Sequence, residues 1–392
     1  MLTILIIGVS EEYILTIINT CGGIMLIERL SHIQTELKRR QIDCMALIPG
    51  YNLRYITGLE FHLMERSVIL FIPAEGAPVF VLPTLEQAKA ASLPMAGLQC
   101  FTYDDGKEPN DAVSAASKAL PEIHTLAVEN LRMRVHELNL IRRPLPNAQL
   151  SDAQPIMDTL RLRKSADEIA LMRKAVHATE TALQVTIDQV STGMTEIQVA
   201  NRLGIAMLEE GGGVLPFEPI VLTGARGALP HGVPTEAKIK AGDLLLFDFG
   251  TSVDGYISDL TRVFIAGGKP KPRQMEIYET VKAANAAGRA AAKPGIACQE
   301  VDRAARKVIV DAGYGEYFFH RVGHGIGMEG HEGPYMVEGN TQVLEPGMCF
   351  TVEPGIYIQG EIGVRIEDDL VITEDGAESL TTFPREFKII GG

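Results

Sequence analysis

The chain has 392 residues, of which 46% are hydrophobic and 22% charged, and its formal net charge is -14. That length exceeds one ordinary core and points to two domains, while the ordinary charged fraction excludes wholesale disorder. The acidic balance excludes nucleic acid and anionic membrane as main partners, since both would repel it.

Residues 1–27 are unusually apolar, densest at Leu2–Val9 and Tyr13–Ile18, with Glu11 and Glu12 between the two runs. The two glutamates leave no uninterrupted membrane span. No Lys or Arg precedes the apolar part and no small-residue cleavage site follows it, so a secretory signal fits poorly. Met25 opens MLIERLSHIQTELKRR, which reads as an ordinary soluble start, and 1–27 are expected to be an extension from an over-long start. From Leu26 to Arg40 the apolar residues recur at helical spacing and the segment ends in basic residues, as a helix C-terminus prefers. Short apolar runs follow at Cys44–Ile48, Ser67–Ile72 and Pro78–Leu82. The last two are separated by the turn-like Pro73–Ala77 and predict a hairpin. Helical pieces near Leu85–Ala91 and Asp111–Leu120 and a strand at Thr125–Val128 complete a small α/β domain over residues 28–154, without a cluster of catalytic residue types. The five cysteines are odd in number, widely spaced and without a Cys-x-x-Cys pair. They predict buried thiols in a reducing cytoplasm rather than structural zinc or disulfides.

The domain boundary is expected near Ala153–Asp158, with a second domain over 155–392. Ser165–Glu168 forms a capping box before the stripe Ile169, Met172, Val176, Leu183, and Thr195–Gln198 forms a second before a helix to about Glu210. Strands are expected at Pro219–Leu222, Leu244–Phe249 and Thr261–Ile265. Helices are expected at Arg273–Ala292 and Gln299–Ala312, then strand and loop. Helices and antiparallel strands in alternating pairs make an α+β pattern.

Chemistry concentrates in this second half. Asp248 ends the apolar run Leu244–Phe247, and Asp259 follows eleven residues later across a turn-like Gly250–Gly255, so a hairpin would bring the two carboxylates together. By itself such a pair is better read as two turn aspartates. The segment His320–Gly327 sets His324 between glycines, which remove bulk and allow a ligand or metal to come close. His331 follows seven residues on. Glu353 ends the apolar strand Cys349–Val352, and Glu367 sits in the strand-like Val364–Asp368. Four carboxylates and one histidine on apolar strands are costly unless a cation compensates them. Two divalent cations balance four carboxylates, and a mostly oxygen donor set with one imidazole suits Mn, Co, Fe or Zn. Such a pair, about 3.5–4 Å apart, lowers the pKa of a shared water towards ~7 for attack on an amide carbonyl.

The ordered set Asp248, Asp259, His324, Glu353, Glu367 resembles the five-ligand signature of the pita-bread metallopeptidase family that contains methionine aminopeptidase, Xaa-Pro aminopeptidase and prolidase. The resemblance covers roughly 155–390, and more weakly 28–154, which look like the N-terminal domain of prolidase and creatinase relatives. It implies a pita-bread catalytic domain holding two divalent metal ions, with Mn expected first. Asp248 would bind one metal, His324 and Glu353 the other, and Asp259 and Glu367 would bridge them. It further implies that His231 lies near the substrate amide, that His331 stabilises the developing oxyanion, and that Glu353 also carries a proton to the leaving nitrogen. His320, four residues before His324, and Arg365, two before Glu367, look like the Xaa-Pro aminopeptidase and prolidase branch and would set substrate selectivity. Gly330 stands where relatives commonly have an apolar residue, and Gly333 loosens the next turn, which bears on the shape of the substrate pocket.

The leading expectation is an Xaa-Pro aminopeptidase acting on peptides with proline in second position, a bond whose tertiary amide lacks an N–H. The alternatives are a dipeptide-only prolidase and a non-peptide amide hydrolase or lyase on the same scaffold. A peptide-binding module that had lost catalysis should have lost ligands, and none is missing. The resemblance also implies a homodimer paired through the N-terminal domain, with the loop Gly58–Arg66, including Phe61, His62 and Arg66, reaching towards a neighbour's active site, and the cysteine pattern places it in the cytoplasm.

Overall fold

The computed structural model describes residues 21–391, with side chains from Met25 onward. The expected extension over 1–27 therefore falls largely outside the described residues. The chain divides into two compact units, one ending at Leu160 and one beginning at Arg161.

The first unit is a six-stranded sheet with helices. Its strands are β1 (Cys44–Leu47), β2 (Ile69–Pro73), β3 (Val79–Pro83), β4 (Gln99–Tyr103), β5 (Thr125–Val128) and β6 (Gln149–Asp152), in the order β4-β3-β2-β1-β5-β6. β2 and β3 form the expected antiparallel hairpin, with Ile69 opposite Val81. Alternate residues of the sheet, among them Ala46, Phe71 and Val81, pack on Val113, Leu120, Leu140 and Ile141 of the helices Asn110–Ala119 and Val135–Arg142 and the loop after the first. β4 and β6 are the two sheet edges, and their polar, partly exposed sequences hide them from a hydrophobic-run reading. The helix Tyr51–Thr57 is too short, at seven residues, to develop a periodic stripe. Across the expected domain boundary runs another helix, Gln154–Arg161, whose first amide donates to Asp152 Oδ1 and whose first turn holds Pro155. In the loop Gly58–Arg66, Phe61 is buried edge-on against Phe80 and Arg66 pairs with Asp105, while His62 faces solvent.

The second unit opens with the two predicted capping boxes, both closed in both directions, on the helices Ala166–Ile187 and Glu196–Glu209. Its strands are β7 (Ile220–Thr223), β8 (Asp243–Phe249), β9 (Ser252–Val253), β10 (Tyr256–Ile257), β11 (Leu260–Ala266), β12 (Gly323–Gly325), β13 (Glu332–Met336), β14 (Cys349–Val352), β15 (Gly355–Ile358), β16 (Ile362–Arg365), β17 (Asp368–Ile372), β18 (Ala377–Ser379) and β19 (Ile389–Ile390). One sheet has the order β19-β11-β8-β7, a second β13-β12-β14-β17-β18, and β15 pairs with β16.

β8 is buried on both faces, and the two-residue period of a strand sorts its side chains. Leu245, Phe247 and Phe249 pack with Leu183, Leu203 and Met207 of the two capped helices. Leu244 and Leu246 join Val263 and Ile265 of β11 against Ile277, Val281, Val301 and Ala305 of the helices Pro272–Ala291 and Cys298–Asp311, a core that also takes in Phe350, Val352, Val364 and Ile366. Helix pairs thus cover the strands from two sides. Asp248 continues the Leu244–Leu246 series and so faces the same interior. Among the described cysteines, Cys44, Cys100, Cys298 and Cys349 are free thiols, and no described helix is long and apolar enough to cross a membrane.

Candidate metal centre

β8 and β11 are antiparallel with Asp248 opposite Thr261, which puts Asp259, two residues before Thr261, on the Asp248 face. The hairpin closes tightly, since a Cβ on Gly250 would lie 1.9 Å from the Ser258 carbonyl oxygen. The Asp259 amide donates to Asp369 Oδ2 at 2.9 Å, while the buried Asp259 Oδ1 has no hydrogen-bond partner.

His324 lies in the short strand β12, between β13 and β14. A Cβ on Gly323 would come within 1.8 Å of the Thr351 carbonyl oxygen, and one on Gly325 within 2.1 Å of that of Gly333. The sequence reading took these glycines as clearance for a ligand; the structure uses the clearance for the neighbouring backbones, which deliver the imidazole between them. His324 Nδ1 donates to the Gly325 carbonyl at 3.1 Å. That fixes the proton on Nδ1 and leaves the Nε2 lone pair 3.3 Å from Glu353 Oε1 and 4.0 Å from Asp259 Oδ2. Asp259, His324 and Glu367 each present a ligand atom within 4.8 Å of the other two. Glu367 Oε2 accepts from the Thr261 hydroxyl at 2.6 Å, and the Glu367 amide donates to the Thr261 carbonyl.

The cluster is electrostatically costly by itself. Burial, and then the charges of Glu367 and Asp248, hold Asp259 well above the usual carboxylate range. Burial and then Glu353 and Asp248 do the same to Glu367. Glu353 is pushed up to about 8, first by burial and then by Asp248, against the opposing pull of Arg365. Burial and His331 hold His324 well below its ordinary value, so the imidazole is neutral. A neutral imidazole lone pair facing carboxylate oxygens, beside an orphaned Asp259 oxygen, is an arrangement that a divalent cation satisfies. The N–H bond to a backbone carbonyl on the far side of the ring is the usual support of a ligating histidine.

Outside this cluster a hydrogen-bonded chain runs through the buried Arg365. Its Nη2 binds Asp248 Oδ2 closely, its Nε donates to Thr261 Oγ1 at 3.1 Å, and its Nη1 donates to the Tyr357 hydroxyl at 2.8 Å. The Tyr357 oxygen lies 3.0 Å from His320 Nε2, and His320 Nδ1 lies 2.7 Å from the Arg321 carbonyl. Burial, then the Arg365 charge, lowers His320 to about 4. The ring is therefore neutral, donating from Nδ1 to the carbonyl and accepting the tyrosine proton at Nε2. Both of its nitrogens are occupied within the protein. His331 faces solvent with its ring centroid 4.0 Å from that of His324. His231 is exposed on the loop before β8, near enough to lower both His320 and His331 electrostatically. Arg365 Nη2 also reaches the carbonyl of the preceding Pro230 at 3.4 Å. The structure thus gathers Asp248, Asp259, His324, Glu353 and Glu367 into one largely buried cluster, with Arg365 bonded to Asp248, His320 linked to Arg365 through Tyr357, and His331 and His231 exposed.

Sequence reasoning gave no role to Thr261, Tyr357, Asp369 or Arg321. Tyr357 and Arg321 stand inside the motifs that drew attention, but only the fold shows what their side chains meet. It also gave no role to a buried ionic group below the His331 loop. Arg161 Nη1 pairs with Glu329 Oε1 at 2.9 Å and its Nη2 binds Glu332 closely, while Lys164 Nζ lies 2.8 Å from Glu332 Oε1. Burial alone would raise Glu332, but the Lys164 and Arg161 charges outweigh it and hold the carboxyl below its usual range.

Known proteins resemble this chain in sequence and fold. Residues 170–374 match the model of metallopeptidase family M24, and residues 29–163 match that of the creatinase/prolidase N-terminal domain. An Xaa-Pro dipeptidase of Lactobacillus helveticus is 37% identical over 92% of this chain and 98% of its own length. The crystal structure of a prolidase from Thermococcus sibiricus superposes with a TM-score of 0.89 at 32% identity, covering 93% of this chain and 99% of that one. An X-Pro aminopeptidase from Thermotoga maritima is also similar, with a TM-score of 0.78 at 30% identity over 91% of this chain and 100% of that one.

Proposed function

Since the chain belongs to metallopeptidase family M24 and is a metal-dependent peptide hydrolase with a creatinase/prolidase-type N-terminal domain and a pita-bread fold, we propose that it is an Xaa-Pro dipeptidase. Sequence reasoning put the aminopeptidase first and the dipeptidase second. The greater likeness to the Lactobacillus dipeptidase and the Thermococcus prolidase supports the second. The observation that carries the metal chemistry is Asp259, whose buried Oδ1 has no hydrogen-bond partner and whose Oδ2 lies 4.0 Å from the His324 lone pair.

We assign Asp248, Asp259, His324, Glu353 and Glu367 as ligands of two divalent cations, manganese first among the candidates. Bound there, the cations would polarise the scissile carbonyl and lower the pKa of a water towards ~7. The protein's own groups do the rest. Glu353, next to the imidazole and bonded to the Thr351 hydroxyl, takes a proton from the attacking water and passes it to the proline nitrogen. His331 donates to the carbonyl oxygen as charge develops, and His231 stands by the substrate amide. Arg365 fixes Asp248 through their ion pair. With both nitrogens of His320 bound internally, its ring contributes shape to the proline side. We further propose that the protein is cytoplasmic and a homodimer, with sedimentation of the purified protein as the test of assembly.

The deciding experiment is a kcat/KM panel on manganese-loaded enzyme with Xaa-Pro dipeptides, Xaa-Pro-containing tripeptides and longer peptides, and non-proline controls. A dipeptidase cleaves the dipeptides and leaves the longer peptides nearly intact. Equal cleavage of long peptides restores the aminopeptidase reading, and no cleavage of any peptide points to a non-peptide amide or a lyase reaction.

A further inference from the structure

Three histidines on the segment 320–331 are held in two opposite ways. His320 and His324 each put Nδ1 against a backbone carbonyl, of Arg321 at 2.7 Å and of Gly325 at 3.1 Å. A carbonyl only accepts, so both rings carry their proton on Nδ1. His331 Nδ1 instead faces Arg321 Nη2 at 3.0 Å. A guanidinium only donates and does not lose its proton, so this Nδ1 must accept, and the single proton of the neutral ring sits on Nε2.

We propose that Arg321 is a positioning residue that fixes the Nε2–H tautomer and the ring orientation of His331. The rest of the guanidinium's surroundings suit that task. Its carbon lies 4.3 Å from the centroid of the Tyr335 ring, a cation–π contact that restrains the long side chain. Tyr335 is the cross-strand partner of His324, so the group that orients His331 is anchored on the strand pair that carries the metal ligand. The Arg321 backbone carbonyl meanwhile holds His320. One residue thereby sets two histidines in opposite tautomers, one by its main chain and one by its side chain. A ring with Nδ1 engaged by a donor has only its Nε2–H to offer, and that N–H is what the oxyanion role needs. The inference rests on that role for its effect on turnover, though not for the tautomer itself.

The test uses zinc-loaded enzyme, which is diamagnetic, with 15N-labelled histidine, at a pH above the imidazole range so that charge state does not enter. The His331 signal is assigned by its loss in His331→Ala. Wild type and Arg321→Lys, which keeps a cationic donor, are expected to show Nε2–H. Arg321→Glu supplies an acceptor and is expected to show Nδ1–H. In parallel, Arg321→Glu should lower kcat on all Xaa-Pro dipeptides in equal proportion, approaching the roughly 10²–10³-fold cost of losing an oxyanion donor, and Arg321→Lys should restore most of it. In a His331→Ala background Arg321→Glu should cost nothing further. An unchanged tautomer in Arg321→Glu overturns the proposal. So does a kcat loss that persists in the His331→Ala background, which would mean that Arg321 acts on substrate directly. If His331→Ala leaves kcat unaltered, the oxyanion role fails, and the 15N spectrum still decides whether Arg321 sets the tautomer.

Discussion

At the scale of single residues, the site separates groups that hold from groups that act. Glu353 is assigned both tasks, as ligand and proton carrier. Glu353→Gln keeps the shape and loses the basic oxygen, so turnover should fall by the ~10²–10⁴-fold typical of a general acid–base group, with a smaller change in KM. Near-normal turnover together with normal metal content would refute the proton-carrying role. His331→Ala should lower kcat on every peptide about equally, by roughly 10²–10³-fold. His320→Ala should instead change the ratio of rates between proline and non-proline peptides. The same panel reads both, and the opposite pattern reverses the assignment. Glu353 was legible because a carboxylate is rare at the end of an apolar strand, and His320 and His331 because they cluster with His324 on a glycine-rich segment that resembles the family pattern. The partners that orient them were not, because threonine, tyrosine and arginine are common everywhere and acquire meaning only from what they touch.

Elements carry the second layer of constraint. β12 is three residues long and is squeezed between the backbones of β13 and β14. Gly325→Ala would push a methyl into the Gly333 carbonyl, so stability should fall by at least the ~1–3 kcal/mol of overpacking, and metal affinity should fall with it as His324 shifts. Denaturant midpoints and metal titration of the purified variant test this; a normal midpoint would mean that the strands part without strain. The loop bearing His331 is tied down by Arg161, Lys164, Glu329 and Glu332. Glu332→Gln removes the carboxylate that Lys164 shares with Arg161; Arg161 keeps Glu329, but the buried Lys164 loses this counter-charge, a change that typically costs about 3–5 kcal/mol. Unfolding measured by circular dichroism should reveal it, and an unaltered midpoint would show that solvent already screens the group. By contrast, a Cβ at Gly330 or Gly333 would meet nothing within 4 Å, so alanine at either is expected to be tolerated.

For the whole molecule the decisive term is the concentration of negative charge inside the catalytic unit. Without cations, Asp259, Glu353 and Glu367 have folded-state pKa values raised above their ordinary ones. At these three groups the folded chain then binds more protons than the unfolded one, so the stability they contribute is fully present below the ordinary carboxylate range of about pH 4–5 and is lost as pH rises through the folded values, to about 8 for Glu353. Cations at the site remove that dependence. Thermal melts of chelator-stripped and metal-reloaded protein between about pH 5 and 8 should therefore diverge as pH increases, the stripped form losing stability. Curves that stay parallel would count against a metal centre built from these carboxylates.

The sequence by itself determined the starts of the first two helices of the catalytic unit, because a capping box is a local contact written in four consecutive residues. It determined the central strands, because their apolar runs are dictated by burial on both faces. It also marked the carboxylates and histidine of the cluster, because charge placed on a buried strand needs a reason. Only the tertiary structure decided that the glycines around His324 make room for neighbouring strands rather than for a ligand. Only it showed that Arg365 leans on Asp248, that both nitrogens of His320 are taken within the protein, and that Arg321 faces His331. Each of these depends on contacts between segments far apart in the chain or on which way a side chain turns, and no local pattern encodes either.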